Sequence, residues 1–469
     1  MRCILAATLV LATLASLGAC SSDDGDQPID GATGDILDQL RAQPEVASVL
    51  ERPTQRDGYR YFEVFFTQPI DHEHPEAGTF EQEATLIHRD FAAPVVLQHS
   101  GYGNWYYDRA VELTELLHAN QISIEHRFFR TSRPRGGPSV WQYLTIAQAA
   151  ADHHVVATVL HRIYPGAFLE TGASKGGMTA MYHRRFYPDD VDATVAYVAP
   201  LSIAAPDYRY DNFLDQLGSA TCRDRLHAVQ IELLRNRRPM LDAEARAQGG
   251  FNRIGVPAAV EGAVSGLEWA FWQYTGVDGC SQIPDVTASD ADLLAFLHDV
   301  SPLGGSSDAN VAEFEAYYYQ AVGELGYPGT TDPHLDGLLI VPGEDYAGSY
   351  PAGVTLPAYR ADVMADIDGW LRTDGERIVL LYGGLDPWSG GMFELGGATD
   401  SLRVVAPMGP HGSGIDDLTA SDRDAVLQKL AAWSGVAPDV SVWSKRAITT
   451  PMPPRVPPRL WHRRDTTQP

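Results

Sequence analysis

The chain has 469 residues, of which 44% are apolar and 10% aromatic, enough to bury a large core and too apolar for a disordered protein. Its formal net charge of −26 argues against nucleic acid and anionic membrane surfaces as partners, and suits a cationic ligand such as a peptide's free amine. The length fits two or more domains, or equally one α/β body with a long insertion.

In chain order, residues 1–19 read as an export signal. Arg2 is a minimal positive region, and Ile4 to Leu17 is an apolar run too short to span a bilayer. It ends in Leu17-Gly18-Ala19-Cys20, similar to a bacterial lipobox. The expectation is a lipoprotein, lipidated at Cys20 and anchored at the cell envelope, in the periplasm or at the cell surface. The other reading is an ordinary signal peptide cut nearby and a secreted product. Residues 20–36, polar and rich in Gly and Asp, suit a flexible tether.

Of four cysteines, Cys3 and Cys20 belong to the signal, which leaves Cys222 and Cys280. In an oxidising compartment these are expected to form a disulfide; two buried thiols are the alternative. Neither CxxC nor HExxH occurs, so no metal site is expected, and His72 and His74 in DHEHP read as turn chemistry.

Tyr59 to Gln68 alternates as a half-buried strand, and Thr79 to Asp90 reads as its antiparallel partner. Short apolar strands then alternate with helices. The strand in APVVLQHSGYG precedes the helix YDRAVELTELLHAN, with Ala110, Leu113, Leu116 and Leu117 on one face. QISIEHRFF, a long helix YLTIAQAAADHHVVATVLHRI, AFLETGAS, a helix SKGGMTAMYHRRFYP and the strand VDATVAYVAP follow. From 201 to 356 successive helical patterns read as a helical lid insertion. The α/β pattern resumes from 357 to 435, and residues 436–469 form a Pro-rich basic tail with Arg455, Arg459, Arg463 and Arg464. The fold class expected is α/β, an α/β-hydrolase with a largely parallel sheet built from 37–200 and 357–435.

Gly172-Ala173-Ser174-Lys175-Gly176 fits the G-x-S-x-G elbow and lies at a strand-to-helix join, where a sharp turn lifts a hydroxyl to the top of the sheet. A serine needs an imidazole to take its proton and a carboxylate to fix the imidazole's tautomer. Asp386, after the strand RIVLLYGG, and His411, after SLRVVAPMGP, supply both in the chain order an α/β-hydrolase requires. Ser174, Asp386 and His411 are therefore the expected triad. The oxyanion donors are expected to be the backbone N–H of Lys175 and one from the Gly-rich loop at Gly101 or Tyr102. The Lys175 side chain is expected to point to solvent and not to act as a base.

The segments FFTQPIDH, HSGYGNW, EHRFFRTSRP, TGASKGGMTAMYHRRFYPDDVD, LEWAFWQYTG, LLYGGLDPWSGG and MGPHGSG resemble the secreted tripeptidyl aminopeptidases of actinobacteria, serine peptidases related more distantly to prolyl carboxypeptidase and dipeptidyl peptidase II. The resemblance spans most of the mature chain. It implies a helical lid, no cofactor, and release of short peptides, typically tripeptides, from a free N-terminus. Carried over by position, it matches Ser174, Asp386 and His411 to the triad, and Glu125, His126 and Arg127 to a segment supporting the site or to a structural ion-pair network. The more distant relatives carry an aromatic residue where this chain has Lys175.

An exopeptidase must anchor the substrate ammonium on a partly buried carboxylate. Glu268 in LEWAFWQY is the first candidate, with Asp207 and Asp211 behind it, and Trp269, Phe271, Trp272 and Tyr274 could line the pocket or simply form core. Two competing readings are a lipase or esterase on the same triad, against which the HGGG oxyanion motif is absent, and a non-catalytic surface binding protein. The oligomeric state is left open.

Overall fold

The structure is a computed structural model that describes residues 34–105, 107–341 and 347–445. The stretch read as an export signal, Cys20, and the arginines at 455, 459, 463 and 464 lie outside the described residues. Nine strands form one sheet: β1 (Val46–Arg52), β2 (Arg60–Pro69), β3 (Thr79–His88), β4 (Val95–His99), β5 (Asn120–Ile124), β6 (Phe168–Ala173), β7 (Ala193–Tyr197), β8 (Ile378–Gly383) and β9 (Leu402–Ala406). Their order is β1-β2-β3-β5-β4-β6-β7-β8-β9. Pairing is antiparallel from β1 to β5 and parallel from β5 through β9.

The burial pattern follows the sequence. Every residue of β4, β5, β7 and β8 is buried, as parallel strands covered by helices on both faces must be. The antiparallel β2 alternates, and the edge strand β1 is mostly exposed. Charge protects that edge: Glu63 accepts from Arg52 and Glu51 from Arg60, each at 2.8–2.9 Å. VASVLER is too polar to stand out as a strand, and β1 was not expected from the sequence. Just before it, Asp35 caps the helix Ile36–Arg41 by accepting from Leu37 N at 2.8 Å, and Ile36, at the end of the stretch read as a tether, is buried.

The helix expected over 107–120 is shorter, Glu112–Leu117. Asp108 is held out of it by Thr54 Oγ1, which donates to its carboxylate at 2.7 Å, and Val111 N donates instead to Gln121 Oε1 at 2.8 Å. The helices Ile146–His161 and Lys175–Phe186 fall where the sequence put them.

Between Leu201 and Leu356 the described residues hold helices and no strand apart from a single bridge, Asp207 to Pro328. The helices Ala220–Arg235, Val256–Ser265, Leu267–Tyr274 and Asp290–Val300 close around their own core, which includes Trp269, Phe271 and Trp272. Leu385 and Trp388, from the loop after β8, belong to that same core. The lid is therefore seated directly on the loop that carries Asp386. No helix of the described residues is long and apolar enough to cross a membrane.

Cys222, at the start of Ala220–Arg235, is disulfide-bonded to Cys280, 58 residues on. Closing a loop of that length removes disorder from the unfolded lid. Replacing both cysteines by serine is expected to lower stability by about 2–4 kcal/mol in chemical denaturation; an unchanged midpoint would contradict the stapling role.

Candidate active site

Ser174 follows β6 and precedes the helix Lys175–Phe186, with φ 57° and ψ −126°. A non-glycine residue in this region carries strain of order 1–3 kcal/mol and persists only where its surroundings enforce it. Two backbone hydrogen bonds do so: Ser174 N donates to Tyr197 O at 2.9 Å, and Met178 N donates to Ser174 O at 3.0 Å. Sterics complete the turn. A Cβ at Gly176 would fall on His99 O, well inside van der Waals contact, so the helix can approach β4 this closely only with glycine there.

Asp386 and His411 extend from the loops after β8 and β9, both at the carboxyl edge of the sheet. Asp386 Oδ2 lies 2.6 Å from His411 Nδ1, and both side chains are buried. The second carboxylate oxygen accepts from Trp388 N at 3.1 Å, which fixes its plane. With Nδ1–H donated to Asp386, the lone pair of His411 is on Nε2, the form a general base requires. The lid helps to place this histidine. His411 N donates to Gln273 O at 2.9 Å, and the rings of Trp388 and Tyr274 stand 6.1 and 6.5 Å from the imidazole. Burial raises the pKa of the Tyr102 phenol well above the ordinary 10, and the nearby Ser174 hydroxyl offsets part of that rise. Trp388 and Gln273 were not singled out from the sequence; the first, adjacent to Asp386-Pro387, could have been.

Lys175 departs from expectation. Its side chain is buried, not solvent-exposed: Nζ donates to Gly101 O at 2.5 Å and stands 5.6 and 5.5 Å from the ring centres of Tyr102 and Phe129. Burial pulls its pKa well below the ordinary 10.5. The physical reason is the loop at 100–104, which folds over the first turn of the helix and closes it from water.

That loop is gripped by the EHR segment. His126 N donates to Tyr102 O at 2.9 Å, and Asn104 N donates to Glu125 Oε2 at 2.9 Å. Ser132 gives Glu125 two further hydrogen bonds, and burial raises this carboxyl's pKa. Arg127 faces the other way, in a fully buried bidentate pair with Asp152 at 2.6 and 2.7 Å. Asp152 also meets His72 Nε2 at 2.8 Å.

The lid carboxylates have partners. Glu268 meets His227 Nε2 at 2.7 Å, and Asp207 is paired with Arg209 at 2.7 Å. Asp211 accepts from Thr331 N at 2.9 Å and Oγ1 at 2.6 Å, and burial raises its pKa. Trp269 stands edge-on to Trp388 at 5.5 Å and so reaches the site through it. Trp272 packs edge-on against Phe271 inside the lid core.

Beneath the elbow lies a polar cluster that the sequence did not disclose. Glu170 Oε2, on β6, is 2.8 Å from His99 Nε2 and 2.7 Å from His183 Nδ1, and Thr194 Oγ1 donates to Oε1 at 2.7 Å. His183 Nε2 continues to Asp190 at 3.0 Å, and His99 Nδ1 meets His153 Nδ1. These are hydrogen-bond separations, and a metal ion among the three ligand groups would have to push them apart. Burial opposes the charge on His183, but Glu170 and Asp190 outweigh it and raise its pKa to about 9. Burial likewise opposes the charge on Glu170, and His183 with His99 brings it down to about 2.

The sheet order, the serine elbow after β6 and the histidine–carboxylate pair after β9 and β8 define an α/β hydrolase. The chain belongs to the PS-10 peptidase S37 family, which matches residues 30–455. It is 39% identical over 447 residues to the prolyl tri/tetrapeptidyl aminopeptidase of Streptomyces mobaraensis, covering 93% of this chain and 92% of that one. It is also 27% identical over 160 residues to the mouse lysosomal Pro-X carboxypeptidase, covering 30% of this chain and 33% of that one. Among solved structures, a proline iminopeptidase of Mycobacterium smegmatis matches with a TM-score of 0.36 at 14% identity, over 82% of this chain and 99% of that one. That likeness is slight, and the fold rests on the sheet itself.

The buried cluster has a pH signature. Because the folded state raises the pKa of His183, its stabilisation is complete below 6.5 and fades as pH rises through about 9. His183→Gln leaves Glu170 and Asp190 without their cation and is expected to cost about 3–5 kcal/mol at pH 6. In denaturation at pH 6 to 9.5 the gap to the natural protein should narrow as pH rises. A gap independent of pH would contradict this charge assignment.

Proposed function

We propose that this protein is an exported serine aminopeptidase that takes a peptide by its free N-terminus and releases a tri- or tetrapeptide through an acyl-enzyme on Ser174. The observation that carries the reading is the buried 2.6 Å pair of His411 Nδ1 and Asp386 Oδ2, on loops of the same sheet edge that presents Ser174 at its elbow. Membership of a peptidase family and 39% identity with an aminopeptidase along nearly the whole chain support a peptide substrate. By the same likeness we infer proline as the residue before the cleaved bond.

The steps follow from the geometry. Ser174 Oγ attacks the carbonyl carbon while its proton passes to His411 Nε2. Asp386 holds the ring in the tautomer that can accept it and offsets the imidazolium charge. The tetrahedral oxyanion collapses, the bond to the leaving amine breaks, and that amine takes the proton from His411. Water then repeats the sequence on the acyl ester, freeing the short peptide.

For the substrate ammonium we favour Asp211 over Glu268 and Asp207. The described partners of Asp211 are a hydroxyl and an amide, so its charge remains available, whereas Asp207 is matched by Arg209 and Glu268 by His227. The lipobox at Cys20 supports export and anchoring at the cell envelope.

Two experiments test the reading. A tripeptide amide should be cleaved with a free N-terminus and spared when acetylated, and Ser174→Ala should abolish cleavage; equal cleavage of both forms would overturn the exopeptidase assignment. Asp386→Asn should lower kcat about 10⁴-fold with the fold intact by circular dichroism, through loss of the working tautomer. A loss below tenfold would remove Asp386 from the triad.

A further inference from the structure

The second oxyanion donor was expected from the backbone of Gly101 or Tyr102, but the structure draws attention to a side chain. Tyr102 is 2% exposed, and the Ser174 hydroxyl lies close enough to its phenol to offset part of the burial that raises its pKa. Its own backbone is engaged elsewhere. Tyr102 N donates to Ser100 Oγ at 3.3 Å, and Tyr102 O accepts from Ser100 Oγ at 2.7 Å and from His126 N at 2.9 Å. An amide turned toward Ser100 is poorly placed to receive charge developing beside Ser174.

The ring is held on several sides. Phe129 and Phe314 meet it edge-on, each with centroids 5.7 Å away, and Tyr317 lies at 5.7 Å. The loop that carries it is pressed on the peptide following the nucleophile: a Cβ at Gly101 would stand 2.7 Å from Lys175 C, and Gly101 itself adopts φ +72°. Lys175 Nζ then ties Gly101 O to the helix at 2.5 Å and lies 5.6 Å from the centre of the Tyr102 ring. The nucleophile, the N–H of the next residue and the phenol are thus parts of one packed unit.

We propose that the phenolic hydroxyl of Tyr102, rather than its backbone amide, is the second oxyanion donor, and that the buried Lys175 side chain is the positioning residue that fixes its loop. The inference rests on the reading of Ser174 as nucleophile. As Ser174 Oγ bonds to the carbonyl carbon, the C=O π pair moves onto oxygen. That oxygen accepts hydrogen bonds from the Tyr102 O–H and the Lys175 backbone N–H, while the serine proton goes to His411. No proton leaves the phenol. When the intermediate collapses, the pair returns to the carbonyl and the phenol is again available to Ser174. Burial holds the phenol's pKa well above the ordinary 10, so it keeps its proton and remains a donor throughout the neutral range. Such a fixed donor in a dry site is a strong source of transition-state stabilisation.

The test measures the second-order rate at which a fluorophosphonate labels Ser174, which needs no peptide and so is independent of the aminopeptidase assignment. Tyr102→Phe keeps the ring and removes only the oxygen; circular dichroism and the thermal midpoint would verify its fold. Labelling is expected to slow about 100-fold or more. Lys175→Met should slow it less, by about tenfold, and the double variant should be no slower than Tyr102→Phe alone, because the lysine acts through the phenol. A Tyr102→Phe rate within twofold of the natural protein overturns the phenol as donor. Multiplying effects in the double variant overturn the positioning role of Lys175. Failure of the natural protein to be labelled overturns both this inference and the nucleophile assignment on which it rests.

Discussion

The helix that begins at Lys175 is pressed so closely on β4 that a single methyl group at Gly176 would fall on the backbone oxygen of His99. Beside that contact the chain leaves β6 through a serine at φ 57°, at the carboxyl edge of the sheet. The loop after β4 lies on the same turn, so Gly101 and Tyr102 are located relative to Ser174 by backbone packing, to which the buried Lys175 side chain adds its hydrogen bond to Gly101 O. Preorganisation of this kind is what catalysis by oriented dipoles requires, since donors that are already in place need no rearrangement as charge develops. The cost of the strained turn is small beside the packing that enforces it.

Close packing beneath the elbow also means that polar groups there are sealed from water, and each must be matched. Glu170, His183 and Asp190 form an alternating chain of charge, with Thr194 and His99 satisfying the remaining positions on Glu170. Arg127 and Asp152 do the same beneath the EHR segment. Lys175 is treated differently. Its amine meets a carbonyl and two aromatic faces, and burial pulls its pKa well below the ordinary 10.5. A buried residue with that environment is costly unless it does something for its neighbours, and the Gly101 carbonyl is the neighbour it holds. The lid joins the arrangement from the other side, through Gln273 O on His411 N and through Trp388 packed into the lid core.

Much of this was legible in the chain. The parallel strands are short apolar runs bounded by Gly-rich loops, the nucleophile motif sits at a strand-to-helix join, and Asp386 and His411 follow the next two late strands in order. Beyond the polar edge strand β1, what could not be read is of one kind: contacts between residues far apart in sequence. A lysine in the first turn of a helix reads as solvated, because nothing local reports that residues 100–104 cover it. Glu268 reads as an available carboxylate, because His227, its partner, is 41 residues away. Glu170 and His183 read as ordinary polar positions on a strand and a helix, although together they form the charged centre of the body. The helix at 112–117 is shorter than its apolar face suggests because Asp108 and Val111 have partners in other segments. Local pattern located most of the elements and the candidate serine, aspartate and histidine, and contacts between distant segments decided the rest.

The claim at the centre of this account is that Ser174 becomes covalently acylated by the N-terminal portion of a peptide. Rapid mixing with a peptide of free N-terminus, acid quench within milliseconds, and mass spectrometry of the digested protein would read that directly. The account predicts a transient mass increment equal to a tri- or tetrapeptidyl acyl group on the fragment containing Ser174. Peptide release with no such adduct, or an adduct on another residue, would contradict it.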